Sequence, residues 1–460
     1  MTRIADGAPT RQSIERGEAE AAPTNLATVA RAIRRVLTEV AETVAERVGF
    51  VQRRRELTGS IFVQTVVLGF LKNPQASSGQ LVQTAAALGV TVSRQAIEQR
   101  YAEKASECLK GVLEAAVQEV IAAEPVAVPV LQRFRGVVIY DSSTVSLPDE
   151  LATIWRGCGE RTGKAQAAVK LQVRFDLLTG QLDGPHLQDG RAHDRTSPHQ
   201  AGGIGPGALR IHDLGFFSLD ALRDAAGRQE YWLTRLQVQT GLYDQRGTRL
   251  DLLTYLLAAR TRRVDLAVQV GAQHRLPARL LAVRVPAEVA AQRRKALCAE
   301  AAHKGQPVSA ARLALADWTI LLTNVPSALL TVEEAVVLYR VRWQIELLFK
   351  LWKEHGRVDE SMSEQPVRML GELYAKLLAM VIQHWAILTR CWEFPARSLV
   401  QAAQVVRDHT MMLAHALAGR GSLETALAAI AQCLSVCRMG SRRKHPHTYQ
   451  LLLALQGPSP

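Results

Sequence analysis

At residues 125–129 the chain changes its apolar period, so no single-class fold can accommodate all of it. From residue 25 to about 123, apolar side chains recur at three- and four-residue spacing with few strand signals, which predicts an all-α segment. Pro125 and Pro129, with Val-Ala-Val between them, stop that pattern. Strand signals come next. Residues 136–140 form a short apolar run ending in Asp141, residues 169–177 alternate, Thr179-Gly180 turns, and residues 181–187 return, giving three consecutive antiparallel strands. After a Gly- and Pro-rich loop at 202–207, a fourth strand at 209–212 runs into Asp213. A helix at 219–226 and a fifth strand at 231–236 succeed it. Residues 239 to about 317 look inserted, with short β-like stretches at 266–270 and 280–285 before a charged, Ala-rich helix. A strand resumes at 318–323, and a helix begins at Thr331, has Glu333 and Glu334 in its first turn, and continues to about Lys353. Residues 365–455 are helical again, and there is no internal repeat. The expected class is therefore α/β, with all-α regions at both ends.

The charge balance narrows the partners. Fifty-six Lys and Arg against 43 Asp and Glu leave a net charge of +13, a field that attracts polyanions such as a phosphate backbone. An ordinary 48% hydrophobic and 22% charged content excludes a largely disordered or fibrous chain. No uncharged apolar run reaches the roughly 18 residues of a membrane span, because Gln64 interrupts 61–71, and Lys376 and His384 interrupt 373–388. The first 25 residues lack the apolar stretch of a signal peptide and read as a flexible polar tail, so a cytoplasmic location is expected. The six cysteines are scattered, which suits reduced, packed thiols.

Within the helical N-terminal segment, residues 79–103 read as helix, turn, helix, with 81–88 the first helix, Gly89 the turn, and Ser93 capping a second helix that runs to Tyr101. Such a pair can read DNA, and it can equally be an ordinary αα-hairpin. Arg31, Arg34, Arg35 and Arg53-Arg54-Arg55 could add phosphate contacts or simply face solvent.

Three acids carry the candidate chemistry. Asp141 and Asp213 each close a strand, and Glu346 lies far downstream on the helix, so the three carboxylates can converge. Oxygen ligands of this kind suit Mg²⁺, and a pair of ions can activate the attacking oxygen and stabilise the leaving one in phosphodiester transfer. A strand-terminal Asp is also a common turn residue. The helix is more specific. At 3.6 residues per turn, Tyr339, Arg342, Glu346, Lys350 and Lys353 share one stripe, while Leu338, Ile345, Leu348, Phe349 and Trp352 sit mostly away from it and can face a core. A carboxylate between cations on one face can hold a metal while the cations bind adjacent phosphates.

Tyr339-x2-Arg342-x3-Glu346-x6-Lys353 resembles the Tyr-Arg-Glu-Lys signature of the insertion-sequence-four family of DDE transposases, and every spacing matches. Tyr140-Asp141-Ser142-Ser143-Thr144 resembles the family's first-Asp motif, His212-Asp213-Leu214-Gly215-Phe216-Phe217 its second, and residues 318–324 its Trp-x3-Leu-Thr-Asn strand. The likeness spans residues 136–353, with an echo in Glu372-Leu373-Tyr374-Ala375-Lys376. It implies an RNase H-like catalytic core in two parts, 129–238 and 318–364, interrupted by a β-rich insertion at 239–317. A tail at 1–24 and a helical DNA-binding domain at 25–128 would precede the core, and a helical region at 365–460 would succeed it.

By the same resemblance Asp141, Asp213 and Glu346 are the catalytic metal ligands for two Mg²⁺ ions, with Mn²⁺ a possible substitute. Tyr339, Arg342 and Lys353 contact DNA, Lys350 is expected to join them only from its place on the helix stripe, and Trp318 occupies the strand from which relatives stack an aromatic on a flipped base. Leu214 departs from the charged or small residue common in relatives. The implied activity is cut-and-paste transposition on terminal inverted repeats and target DNA, by a homodimer pairing two ends near the nucleoid. A nuclease without strand transfer and a catalytically inactive DNA-binding derivative are the alternatives. Among other motifs, residues 159–164 miss the spacing and the Ser or Thr of a phosphate loop, and 202–207 opens no dinucleotide-binding unit. Cys433 and Cys437 with His445 and His447 fit no common zinc finger, and His193 and Asp194 lie in a loop near the expected DNA.

Overall fold

The computed structural model describes residues 26–51, 56–159, 165–303, 305–442 and 446–455. The polar tail, the Arg53–Arg55 run, most of the 159–164 loop, and Arg443, Lys444 and His445 lie outside these residues.

Nine strands form one mixed sheet in the order β3-β2-β1-β4-β5-β9-β8-β7-β6. They are β1 (Val137–Leu147), β2 (Ala167–Asp176), β3 (Leu182–Asp189), β4 (Leu209–His212), β5 (Tyr231–Arg235), β6 (Leu242–Tyr243), β7 (Arg263–Val270), β8 (Leu276–Arg284) and β9 (Trp318–Thr323). The β1–β4 and β4–β5 pairings are parallel and the others antiparallel. The expected three-strand meander is present as β1–β2–β3. Its second turn needs Gly180 at φ 71°, where a Cβ would also meet Leu388 and Trp392 at 2.5 Å.

One difference from the sequence-based expectation, and the continuity of the sheet, position the site. The first strand does not stop at Tyr140. Backbone pairing with β2 carries it on from Asp141↔Val173 to Leu147↔Ala167, although its pairing with β4 ends at Ile139↔Ile211. Further, the strands of residues 239–317 build no sheet of their own. β8 pairs with β9, which pairs with β5, so they prolong the same sheet.

Side chains alternate across the sheet, so adjacent residues serve opposite cores. Leu321, Leu281, Ile139 and Ile211 face a large helical layer. Leu322, Leu280, Trp232 and Trp318 face a smaller core with Phe217, Leu222 and Leu256. The helical layer contains α1 (Leu26–Arg34), α2 (Gly59–Lys72), α3 (Ser78–Ala87), α4 (Arg94–Arg100) and α5 (Glu103–Val117) from the N-terminal third. It also holds α6 (Val332–Arg340), α7 (Trp343–Lys350) and α8 (Pro366–Leu388). Every residue of α8 from Leu370 to Leu388 is buried, and the helix packs on α2 and α5. The N-terminal and C-terminal helices thus share one core with one face of the sheet.

The helix pair expected at 79–103 forms as α3 and α4, with Gly89 at φ 88° between them and the Ser93 hydroxyl accepting from the Ala96 N–H. The α6 start is fixed by a capping box between Thr331 and Glu334, and Arg133 grips the Glu334 carboxylate with two bonds of 2.8 Å.

Candidate active site

Strand register brings the two aspartates together. Continuing the β1–β4 pairing two residues past Ile139↔Ile211 puts Asp141 level with Asp213 on adjacent parallel strands. Both share the parity of those isoleucines, so both point into the helical layer. There α7 packs against β1, burying Ile345, Leu348 and Phe349 and turning Glu346 toward the strand ends.

The predicted continuous helix from Thr331 to Lys353 is broken. α6 ends at Arg340, α7 starts at Trp343, and residues 351–355 wind as a π-helix. Across the break Val341 N–H bonds to Leu338, Arg342 to Tyr339 and Gln344 to Val341, all at three-residue spacing. A tightened turn of this kind nearly eclipses residues three apart, which aligns Tyr339 with Arg342. Glu346 then lies one α-turn beyond Arg342.

The result is a trio of carboxylates around one guanidinium. Arg342 Nη2 lies 2.5 Å from Glu346 Oε1 and 3.9 Å from Asp213 Oδ2, and Nη1 lies 3.4 Å from Asp141 Oδ2. Tyr339 donates its hydroxyl to Asp213 Oδ1 at 3.3 Å. Backbone N–H groups of Ser142 and Leu214 donate to Asp141 and Asp213 at 2.8 and 2.7 Å, fixing both carboxylates. Burial pushes the Asp141 carboxyl up to about 6, against the Ser142 bond and Arg342, and Glu346 and Asp213 add to the rise. At Arg342 burial works against the charge, but Asp213, Glu346 and the other neighbours outweigh it and raise its pKa. Burial above all, then Asp213, raises that of Tyr339, which is therefore a neutral donor.

Lys353 donates to the Thr144 carbonyl at 3.0 Å, on the continuation of β1. Lys350 leaves the group. It is 60% exposed, pairs with Glu354 at 3.6 Å, and lines a separate groove with Arg340, Trp343 and Leu347. The stripe drawn on a uniform helix thus divides, with Lys353 on the π-wound residues 351–355 reaching β1 and Lys350 left exposed. Trp318 is buried in the smaller core, so its ring is not presented to a ligand.

Side chains with no bracing role expected from the sequence hold the site from behind. On the opposite face of β1, Ser142 and Lys170 bond Asp194 Oδ1 at 2.7 and 3.1 Å, and Asp194 abuts Gly215, two residues past Asp213. Asn324 clamps β5 by bonding Trp232 N–H at 2.8 Å and the Glu230 carbonyl at 2.9 Å. The Cys433 thiol approaches His409 at 3.8 Å, and His447 caps the helix Thr448–Ala454.

Three carboxylates with one cation among them form an oxygen-only, net-negative donor set, which fits a hard divalent cation. A family model described as transposase DDE domain matches residues 132–382, which contain all three acids. The chain belongs to the DDE transposase family. The transposase is 27% identical over 367 residues to the transposase for insertion sequence element IS231B of Bacillus thuringiensis subsp. berliner, covering 74% of this chain and 75% of that one. It is 25% identical over 453 residues to the IS231C transposase of the same subspecies, covering 90% and 92%. The putative transposase InsL of IS186A from Escherichia coli (strain K12) is 29% identical over 246 residues, covering 51% and 65%. Among the described residues of this transposase, no helix is long and apolar enough to cross a membrane.

Proposed function

We propose that this transposase moves its element by cut-and-paste, with Asp141, Asp213 and Glu346 as the catalytic carboxylates of an insertion-sequence-four-type, RNase H-like core. The observation that carries the reading is the convergence of the three acids on Arg342 from β1, β4 and α7. The strands of residues 239–317 are the insertion of that core. Two Mg²⁺ ions held by the three carboxylates would supply activation of the attacking oxygen and stabilisation of the leaving one.

The chain's own residues do the rest. Asp141 must be ionised to act as a ligand, and its burial makes that depend on a neighbouring positive charge. Tyr339 orients Asp213 through its hydroxyl. Arg342 and Lys353 border the trio and offer donors to the phosphates flanking the scissile bond. End recognition falls to the α3–α4 pair in the helical N-terminal segment, and two protomers pair the two ends. Arg31, Arg34 and Arg35 on its first helices extend the phosphate contacts.

The test is to incubate the purified protein with Mg²⁺, its own element ends and a supercoiled plasmid. Ends cleaved at the phosphodiester to free a 3′-hydroxyl, which is then joined to the plasmid, are expected. Cleavage with no joined product would mean a nuclease, and end binding with no cleavage an inactive derivative.

A further inference from the structure

On the face of the sheet away from the trio, Asp183 and His186 of β3 meet His199, which lies in the short helix Pro198–Ala201 of the loop after β3. One ligand atom from each lies within 4.8 Å of the others. His186 Nε2 is 2.6 Å from Asp183 Oδ1, and His199 Nδ1 is 3.7 Å from Asp183 Oδ2. A tetrahedral zinc ion with bonds of about 2.0–2.1 Å sets its ligand atoms about 3.3 Å apart, so small side-chain shifts would bring these to coordination distance.

Burial of the ligands is a second feature of the cluster. His199 is 4% exposed with Nδ1 the nitrogen nearest Asp183, and among the described residues its Nε2 has no hydrogen-bond partner, so the ring is not tied down from its far side. Gln172 pairs directly with His186 across β2 and β3, is fully buried, and has an Oε1 without a partner. Arg174 holds the outer side of Asp183, with Nη2 2.5 Å from Oδ2, as an outer partner orients a ligating carboxylate. Asp183 also lines a surface cavity of about 340 Å³ with Arg174, Gly203 and Ile204, which leaves one side of the cluster open.

We propose that Asp183, His186 and His199 form a second metal site of the zinc class, completed by water, that fastens the loop of residues 190–204 to the sheet edge. Two imidazoles select a borderline-soft ion over Mg²⁺, so the site is chemically distinct from the carboxylate trio. The loop it fastens carries Asp194, the brace beside Gly215 and so beside Asp213.

The full chain is stripped with a chelator, loaded with Zn²⁺, passed through a desalting column, and its metal counted by mass spectrometry. Co²⁺ loading followed by visible absorption reports the geometry. One retained zinc per chain is expected in the wild type and in a chain with Asp213→Asn and Glu346→Gln together. None is expected with His186→Ala and His199→Ala together, or with the gentler His199→Gln, and circular dichroism checks that each variant is folded. Loaded wild type should also be cut at residues 190–204 at least fivefold more slowly by protease than the stripped protein. The proposal is overturned if the wild type retains no zinc, if the histidine variants retain as much as the wild type, or if zinc is lost with the acidic variants instead.

Discussion

Arg342 is the residue on which the site balances. Among the described residues it is the one cation paired with all three carboxylates, and its side chain is only 16% exposed. Replacing it with Ala leaves three like charges facing one another. The carboxylates are a quarter to two-fifths open to solvent, so the expected loss of stability is modest, about 1–2 kcal/mol. Mg²⁺ should raise the melting temperature of Arg342→Ala by more than it raises that of the wild type, and an equal shift in both would show that Arg342 does not neutralise the trio. Asp141 adds a pH dependence. Its folded pKa of about 6 lies above the ordinary 3.8, so its contribution to stability is fully present below pH 4 and is lost as pH rises through 6. Metal must displace that proton, so Mn²⁺ affinity measured by calorimetry should fall by up to about tenfold per unit below pH 6. Affinity that stays flat to pH 5 would place the metal elsewhere. The residues themselves were legible, because Asp141 ends an unbroken apolar run at 137–140 and the spacings from Tyr339 to Lys353 are fixed in the chain. The burial that raises Asp141 was not, since it depends on α7 packing over β1.

At the scale of elements, the main departures from sequence-based expectation come from partners distant in sequence. Ser142-Ser143-Thr144 carry no apolar signal, yet they stay in β1 because β2 offers a continuous register. The break at Val341 and Arg342 contains neither Gly nor Pro, so nothing local announced it. The segment 356–362, which comes after α7 and the π-turn, is pinned from α8. Lys376, 1% exposed, donates to the carbonyls of Arg357 and Glu360 at 3.1 and 2.6 Å. Glu372 accepts from Ser361, Met362 and Arg368. This gives a structural role to the Glu372 and Lys376 echo of the family pattern. Lys376→Met would keep the stem and strand two carbonyls, costing about 2–4 kcal/mol. Hydrogen exchange should then accelerate at residues 356–362 first, and unchanged protection there would show that the ammonium does not hold the segment.

For the whole molecule, helices of the expected helical domain at 25–128 and of the C-terminal region at 365–460 share a single core, with α8 packed on α2 and α5. Helix periodicity announces that a face is apolar but not what covers it. A piece spanning residues 26–128 should therefore lack a cooperative thermal transition by circular dichroism, whereas the full chain shows one. A sharp transition in the piece would establish an autonomous domain. The same packing sets α7 over the sheet, so the catalytic claim rests on the entire helical layer. That claim is tested most directly by measuring cleavage of the element ends in Mg²⁺ by Asp141→Asn, Asp213→Asn and Glu346→Gln, each made singly and each checked for retained end binding. Loss of at least about a thousandfold in all three is predicted, and cleavage within tenfold of the wild type by any one of them would contradict the assignment.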